Sequence, residues 1–187
     1  MKSITILIPA YNEAESFEDI KRCMNQVIND NPNYTWQFLL INDGSTDQTL
    51  QLMIEAHHSD NRYHYIDLSR NYGKEIAIMA GLDHIDTDAV IMMDADMQHP
   101  IEIIPKMIKY WEEGYDDVYA QREKSDESWL KRYTSKLYYK ILQKSTNIPI
   151  QKDTGDFRLL DKKYIDAIKE MRETDRNNKG MFSWIGY

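Results

Sequence analysis

The chain alternates short apolar runs with segments whose apolar residues recur at helical spacing. Residues 3–8 form a β-branched run that ends at Pro9, which is typical of a buried strand because a central strand cannot continue through proline. A capping-box-like pair, Asn12 and Glu15, then precedes helical periodicity that lasts until Asn31. The pattern predicts a strand, a loop and a helix.

The same unit recurs further along the chain. We expect strands at 36–41, 63–68, 89–93 and 117–121, and helices after the capping pair Ser45 and Gln48, over 74–84, from Pro100 through Trp111 and over 128–145. The remaining C-terminal part has a mixed pattern. Strands that alternate with helices indicate an α/β fold with a mainly parallel sheet covered by helices on both faces, and ligands of such sheets bind beyond the carboxyl ends of the strands.

The loops that follow the predicted strands are polar or acidic. They read PAYNE at 9–13, NDGSTD at 42–47, SRNYGKE at 69–75 and DADMQHP at 94–100. A single acidic loop residue is more often merely solvated than functional. A purely structural set of loops would rarely place so many carboxylates at one edge of a sheet, so we predict a site there.

Asp94, Asp96 and Gln98 alternate directly after a predicted strand. In an extended chain these side chains would point the same way. Two carboxylates and an amide oxygen are ligands that suit Mg²⁺ or Mn²⁺, which keep open positions for substrate phosphates. An EF-hand fits poorly, because its glycine would fall at His99 and its last acid at Pro105. The open alternative is that both aspartates only cap the next helix. The five histidines show no ligand spacing, and we expect them at the surface.

Composition narrows the class of protein. A chain of 187 residues with 42% hydrophobic and 29% charged residues is typical of one globular domain and excludes global disorder. The net charge of -8 argues against a general nucleic-acid binder. Because Cys23 is the only cysteine, no intrachain disulfide or cysteine-based zinc site can form, which is typical of a cytosolic protein.

Charge and hydropathy also bear on membranes. No apolar stretch approaches the roughly 18 residues of a membrane span, and no signal-peptide pattern opens the chain, so we expect this chain not to cross a membrane. Residues 121–152 carry 8 basic and 3 acidic side chains, although the chain as a whole is acidic. Within this segment a basic amphipathic stripe is formed by Arg132, Lys136, Lys140 and Lys144. Such a stripe suits anionic lipid headgroups or a lipid phosphate, and a solvated lysine face is an equal alternative.

Five motifs together resemble the family-two glycosyltransferases of GT-A fold. They are ILIPAYNE at 6–13, NDGSTD at 42–47, SRNYGKE at 69–75, MDADMQHP at 93–100 and DTGDFRLLD at 153–161. The resemblance is strongest to the polyprenyl-phosphate subgroup, which includes dolichol-phosphate mannose synthases and bacterial undecaprenyl-phosphate glycosyltransferases. It implies a single Rossmann-like GT-A domain, with a nucleotide-sugar and metal half at 1–100 and an acceptor half at 101–187.

The resemblance implies that the donor nucleotide binds where the first strands end. The positions that match are Pro9, Ala10, Tyr11, Glu13, Asp43, Asp94 and Ala95. Arg70 and Lys74 are further candidates for contacts to the nucleotide phosphates, and a solvated pair is their alternative. Tyr11 could instead be a core aromatic residue, and Asp43 could be an Asx-turn residue before Gly44.

The resemblance also implies a metal and an acceptor side. Mn²⁺ or Mg²⁺ would bind to Asp94, Asp96 and Gln98. Arg122 matches an arginine that meets phosphate, while Asp156 and Arg158 match the acceptor-side motif, and these three are the catalytic candidates. The stretch from Gly180 to Trp184 matches the segment just before the membrane-associated part, which we expect to be missing from this chain.

The function that the resemblance implies is metal-dependent, inverting transfer of a hexose from a nucleotide sugar to a polyprenyl phosphate at the cytoplasmic face of the cell membrane. The donor would be UDP-glucose or UDP-N-acetylglucosamine, by likeness to bacterial members. Alternatives are transfer to a saccharide hydroxyl and a non-catalytic module that binds nucleotide sugar or lipid. A sugar-1-phosphate nucleotidyltransferase is less favoured, because its Gly-rich N-terminal loop has no counterpart in PAYNE.

Overall fold

A computed structural model describes residues 1–121 and 154–170, with the backbone alone at 121 and 154–156. Its strands are β1 Ser3–Ala10, β2 Thr35–Asn42, β3 Tyr63–Asp67, β4 Ala89–Met92, β5 Asp117–Gln121 and β6 Thr154–Asp161. Its helices are α1 Phe17–Asp30, α2 Thr49–Ser59, α3 Lys74–Asp83, α4 Ile104–Glu112 and α5 Lys162–Glu170. The predicted helix over 128–145, Arg122, the basic stripe and the stretch from Gly180 to Trp184 lie outside the described residues.

The strands form one six-stranded sheet in the order β3-β2-β1-β4-β6-β5. The first four strands run parallel, as the alternating pattern predicts, and β6 is antiparallel to both β4 and β5. Met92 near the end of β4 pairs with Arg158 of β6. The beginning of β6 therefore lies at the same edge of the sheet as the carboxyl ends of the parallel strands.

Helices cover both faces of the sheet, which confirms the predicted α/β class. Along β1 the isoleucines Ile4, Ile6 and Ile8 belong to a core cluster that includes residues of α1, α2 and α4. Leu7 belongs to the opposite cluster, which α3 and α5 cover. Alternate residues of one buried strand thus serve two apolar layers, and burial of these layers from water is the main force that assembles the sheet. Within residues 1–121 and 154–170, no helix is both long enough and apolar enough to span a bilayer.

The predicted helix starts need correction. α1 begins at Phe17, and α4 begins at Ile104 behind a short 3₁₀ turn, so Pro105, not Pro100, lies in its first turn. Neither predicted capping pair caps a helix through its side chains. At the start of α2, it is the Asp47 carboxylate that accepts the N–H of Thr49, at 2.9 Å, and not the Ser45 hydroxyl that accepts a helix N–H. The reason is that Asn12 and Ser45, the leading residue of each pair, form hydrogen bonds between the loops after β1 and β2.

A buried ion pair joins β5 and β6. The Arg158 guanidinium lies 3.1 Å from the Asp117 carboxylate, and the two side chains are 3% and 8% exposed. The Arg158 guanidinium also lies over the ring of Tyr119, at 5.7 Å from its centroid. Burial raises the pKa of Asp117, and the neighbouring guanidinium opposes that rise. Arg158 is therefore part of the packed sheet in this structure.

We predict that Asp117→Leu destabilises the fold by roughly 3–5 kcal/mol, because it removes the carboxylate that faces a buried guanidinium, and arginine cannot shed its charge. Urea unfolding measures the loss. The double variant Asp117→Leu with Arg158→Met should recover part of it. Asp86→Ala, which breaks an exposed pair with Lys162, is the control and should have little effect. Equal losses in Asp117→Leu and Asp86→Ala would contradict the prediction.

Candidate active site

An open cleft with a volume of about 350 Å³ lies at the carboxyl edge of the parallel strands. Its lining is Pro9, Ala10, Tyr11, Glu13, Asp43, Asn71, Gly73, Lys74, Asp94, Ala95 and Asp96. The structure thus brings together eight of the nine predicted nucleotide-binding residues, all except Arg70, and two of the three metal candidates, all except Gln98. Asn71 and Gly73 were not predicted, although they lie inside the motif at 69–75.

Hydrogen bonds join the loop after β1 to the loop after β2 and to the first residue of α2. Asn12 adopts a left-handed conformation with φ of 56°, and its side-chain oxygen accepts the N–H of Thr46 at 2.8 Å. The N–H of Asn12 donates to the hydroxyl of Ser45, and the N–H of Glu13 donates to the hydroxyl of Thr49. The two loops therefore hold each other in place, and these bonds use the polar side chains that the capping patterns assigned to helices.

Asp43 fastens a third loop, residues 69–73, to the end of β2. Its carboxylate is 3% exposed and accepts the N–H of Tyr72 at 2.7 Å and the N–H of Gly73 at 2.9 Å. The Asx-turn alternative for Asp43 is wrong, because the side chain of Asn42 makes the local turn bond, to the N–H of Ser45. Each carboxylate oxygen has a second lone pair, so a contact from Asp43 to a nucleotide base stays a prediction.

Gly44 lets the loop after β2 contact the loop at 69–73 through backbone atoms. Its φ is +66°, and a Cβ there would lie 2.2 Å from the carbonyl carbon of Arg70 and 2.4 Å from the nitrogen of Asn71. A side chain at this position would meet rigid backbone atoms that cannot rotate away. The loop at 69–73 can therefore occupy this place only above a glycine.

Aromatic and basic side chains lie on the loops that form the cleft and at the start of α3. Tyr11 is 45% exposed, which excludes the alternative of a core aromatic residue. Arg70 places its guanidinium over the ring of Tyr72, 4.7 Å from the centroid. Lys74 forms an ion pair with Asp94. Lys74 lines the cleft, while Arg70 is exposed and lies outside the lining, so a phosphate contact from either side chain stays a prediction and the solvated alternative for Arg70 stays open.

Asp94 is a half-buried carboxylate held from two sides. His99 Nε2 lies 3.3 Å from Asp94 Oδ2, and the Lys74 ammonium pairs with Oδ1. The hydrogen bond to His99 and the bond and charge of Lys74 outweigh burial and lower the pKa of Asp94 to about 2. Asp94 is therefore ionised at neutral pH, as a metal ligand must be.

His99 was missed from the sequence, which led us to expect all the histidines at the surface. Its side chain is only 10% exposed, and its ring stacks on Phe157 of β6 at a centroid distance of 4.8 Å and an angle of 19°. His99 therefore connects Asp94 with β6. The sequence held no signal for this role, because a single histidine five residues after an aspartate does not match any metal-ligand spacing. The role of His99 is visible only from its tertiary contacts.

The run from Asp94 to Gln98 does not stay extended, contrary to the premise of the metal prediction. β4 ends at Met92, Met97 has φ of 52°, and the N–H of Gln98 donates to Asp96 Oδ1 at 3.1 Å. This turn leaves the Gln98 side chain outside the cleft lining, while the Asp96 side chain is exposed and lines the cleft.

The donor set of the cleft fits a hard divalent cation. In the described part of the chain, no group of three or more His, Cys, Asp or Glu side chains is arranged to hold a metal. Two carboxylates suffice for Mg²⁺ or a similar ion, which usually keeps several waters and takes further oxygens from substrate phosphates. Asp96 offers an open carboxylate, and Asp94 offers a second one that already has a cationic neighbour.

Comparison of the whole sequence identifies the family. The family model described as "Glycosyl transferase family 2" matches residues 5–169. An uncharacterized glycosyltransferase of Synechocystis, sll0501, is 42% identical over 98% of this chain and 58% of the relative. The prophage bactoprenol glucosyl transferase homolog of Escherichia coli is 37% identical over 98% of this chain and 60% of the relative. The chain belongs to glycosyl transferase family 2, and it spans about 60% of the length of these relatives.

Solved structures with low sequence identity share the fold. The mannosyltransferase PcManGT from Pyrobaculum calidifontis superposes with a TM-score of 0.63 at 16% identity, over 96% of this chain and 50% of that one. Mannosyl-3-phosphoglycerate synthase from Rubrobacter xylanophilus gives a TM-score of 0.60 at 15% identity, over 86% of this chain and 53% of that one. The prediction of a GT-A fold is confirmed.

We predict that Gly44→Ala displaces the loop at 69–73, because the new methyl group would overlap its backbone. The left-handed conformation alone costs roughly 1–2 kcal/mol with a side chain. Hydrogen exchange of the Tyr72 and Gly73 amides, which Asp43 protects, should accelerate. Gly114→Ala is the matched control, since Gly114 also has positive φ but its Cβ would meet nothing within 4 Å. Unchanged exchange in Gly44→Ala would show that the contact does not hold the loop.

Proposed function

We propose that this chain is the catalytic part of an inverting enzyme that moves a hexose from a nucleoside diphosphate sugar to a polyprenyl phosphate, with Mn²⁺ or Mg²⁺ as cofactor. The observation that carries the proposal is the pair of carboxylates, Asp94 and Asp96, on the wall of a cleft that also presents Lys74. Support for the acceptor comes from the relatives named bactoprenol glucosyl transferase. Because the chain spans only part of these relatives, the activity of the whole protein is itself part of the proposal.

The donor diphosphate would lie against the wall formed by Asp94, Asp96 and Lys74. Asp96 and Asp94 would hold the divalent cation, while the Lys74 ammonium would pair with phosphate oxygens. Lys74 is also the first residue of α3, so the positive end of that helix faces the same wall. Bound Mn²⁺ or Mg²⁺ would stabilise the negative charge that grows on the leaving diphosphate. The PcManGT structure is a complex with GDP-Man and Mn²⁺, which is consistent with such a site.

The nucleoside would occupy the part of the cleft between the loops after β1 and β2. The lining residues nearest these two strands in the sequence are Pro9, Ala10, Tyr11, Glu13 and Asp43. The exposed ring of Tyr11 offers a flat apolar surface for a base. Arg70 lies outside the cleft lining, so its contribution would come through Tyr72, which it contacts at the end of the same loop. UDP-glucose and UDP-N-acetylglucosamine are the donors that we favour.

The acceptor would approach from the edge where β6 begins. A phosphate monoester has a second pKa near 6, so its oxygen is mostly anionic at neutral pH and needs little help from a general base. We assign Asp156 to positioning of the acceptor and Arg122 to contact with its phosphate. Arg158 is buried against Asp117, so it would act by fixing β6 and not by touching the acceptor. Gln98 remains a candidate ligand only if the turn at Met97 opens.

The enzyme would work at the cytoplasmic face of the cell membrane. Its acceptor is a lipid, and the basic stripe over 132–144 would contact anionic headgroups. Liposome flotation with anionic lipid should therefore depend on Arg132, Lys136 and Lys140.

The reaction itself is tested by incubating the protein with labelled UDP-glucose, Mn²⁺ and undecaprenyl phosphate in detergent. Label in the lipid phase supports the proposal, label on an added oligosaccharide indicates a hydroxyl acceptor, and UDP binding without turnover indicates a binding module.

We predict that Asp96→Ala weakens UDP binding in the presence of Mn²⁺ by at least about tenfold, or roughly 1.4 kcal/mol. The fold should remain intact, because the exposed Asp96 side chain contributes little to packing. Titration calorimetry with and without Mn²⁺ measures the effect. Asp83→Ala, which removes an exposed carboxylate at the end of α3, should bind UDP like the wild type. Unchanged affinity in folded Asp96→Ala would refute the metal assignment.

We predict that Asp156→Asn mainly weakens acceptor binding and leaves the shape of the pH–rate profile unchanged, because asparagine keeps the size of the side chain but accepts a proton poorly. The measurement is a pH series of kcat and acceptor KM on the longest active form of the protein. Asp166→Asn is the control, because it removes an exposed carboxylate on α5. A severe fall in kcat together with loss of one limb of the profile would identify Asp156 as a general base. An acceptor hydroxyl would then fit better than a phosphate.

A further inference from the structure

We propose that Lys74 is an internal counter-ion of Asp94 that transfers to the donor diphosphate when the nucleotide and the metal bind, so that neither ligand binds well alone. This inference rests on the proposed function and adds to it a coupling between the two ligands. Before the donor binds, the Asp94 carboxylate has no metal beside it, and the Lys74 ammonium balances its charge.

The two oxygens of Asp94 have different partners. Lys74 pairs with Oδ1 and His99 contacts Oδ2. The His99 side chain is 10% exposed and stacks on Phe157, so its departure would open packed surface. The Lys74 side chain is 36% exposed and has a flexible four-carbon stem. Of these two partners, Lys74 is therefore the one that can leave.

The backbone of Lys74 is fixed although its side chain can move. Lys74 opens α3, and the residue before it, Gly73, donates its N–H to Asp43 at 2.9 Å. The ammonium group can therefore move only by rotation about the side-chain bonds of Lys74, within the cleft that this residue lines. A diphosphate against the same wall lies within the range of that motion.

Electrostatics sets the sign of the coupling. An ammonium group and a divalent cation that share one carboxylate repel each other, so Lys74 opposes binding of the metal alone. A diphosphate supplies new acceptors for the ammonium and further oxygens for the metal. Lys74 then favours the filled site, and each ligand raises the affinity of the other by the same factor.

The test measures Mn²⁺ binding to the 187-residue chain by the EPR signal of free Mn²⁺, with and without UDP. In Lys74→Gln, Mn²⁺ alone should bind more tightly, by roughly three- to tenfold for removal of one partly exposed charge. The factor by which UDP strengthens Mn²⁺ binding should fall by roughly tenfold, a typical coupling between two ligands. Lys74→Arg, which keeps the positive charge, should retain most of the wild-type coupling.

Lys162→Gln is the matched control, because Lys162 forms an ion pair with Asp86 at 2.6 Å near the opposite edge of the sheet. It should leave both Mn²⁺ affinities unchanged. Unchanged or weaker binding of Mn²⁺ alone to folded Lys74→Gln would overturn the inference. Wild-type protein that binds Mn²⁺ and UDP independently would overturn the inference while leaving the metal site of the proposed function intact. Wild-type protein that binds no Mn²⁺, even with UDP, would overturn both.

Discussion

The candidate site depends on one buried carboxylate. Asp43 lies almost fully out of contact with water, and burial of its charge is tolerated because two backbone N–H groups of the loop at 69–73 donate to it. These bonds set the position of Gly73, and Gly73 sets the start of α3. Lys74 at that start then reaches Asp94. A carboxylate that follows β2 thus fixes the start of the helix whose first lysine pairs with Asp94, the carboxylate that follows β4.

The sheet supplies the other half of the geometry. β1, β2 and β4 are parallel and bring their carboxyl ends to one edge, while the antiparallel β6 begins at that edge. The loops that follow β1, β2 and β4 therefore lie at the edge of the sheet where β6 begins. Because Gly44 has no side chain, the loop after β2 also packs directly against the backbone of the loop at 69–73.

The sequence predicted most of the cleft, because its signals were local. Strands β1, β2 and β4 are continuous apolar runs, and the polar residues that end them had to lie at the carboxyl edge of a parallel sheet. β6 was not predicted, since its polar positions Asp156 and Arg158 break the apolar pattern. Burial of Arg158 depends on tertiary contacts, among them the ion pair with Asp117 of β5. The capping pairs failed for a similar reason. Asn12 and Ser45 are good capping residues, but here they bond to each other's loops.

The ring stack between His99 and Phe157 has a consequence for how substitutions in this protein should be interpreted. It ties a carboxylate of the cleft to the register of a strand that belongs to the other half of the chain. A change on β6 that tilts Phe157 will tilt His99 with it and so alter the orientation of Asp94. A kinetic defect caused by a substitution on β6 can therefore originate at Asp94, and only separate measurement of each ligand's dissociation constant will assign it.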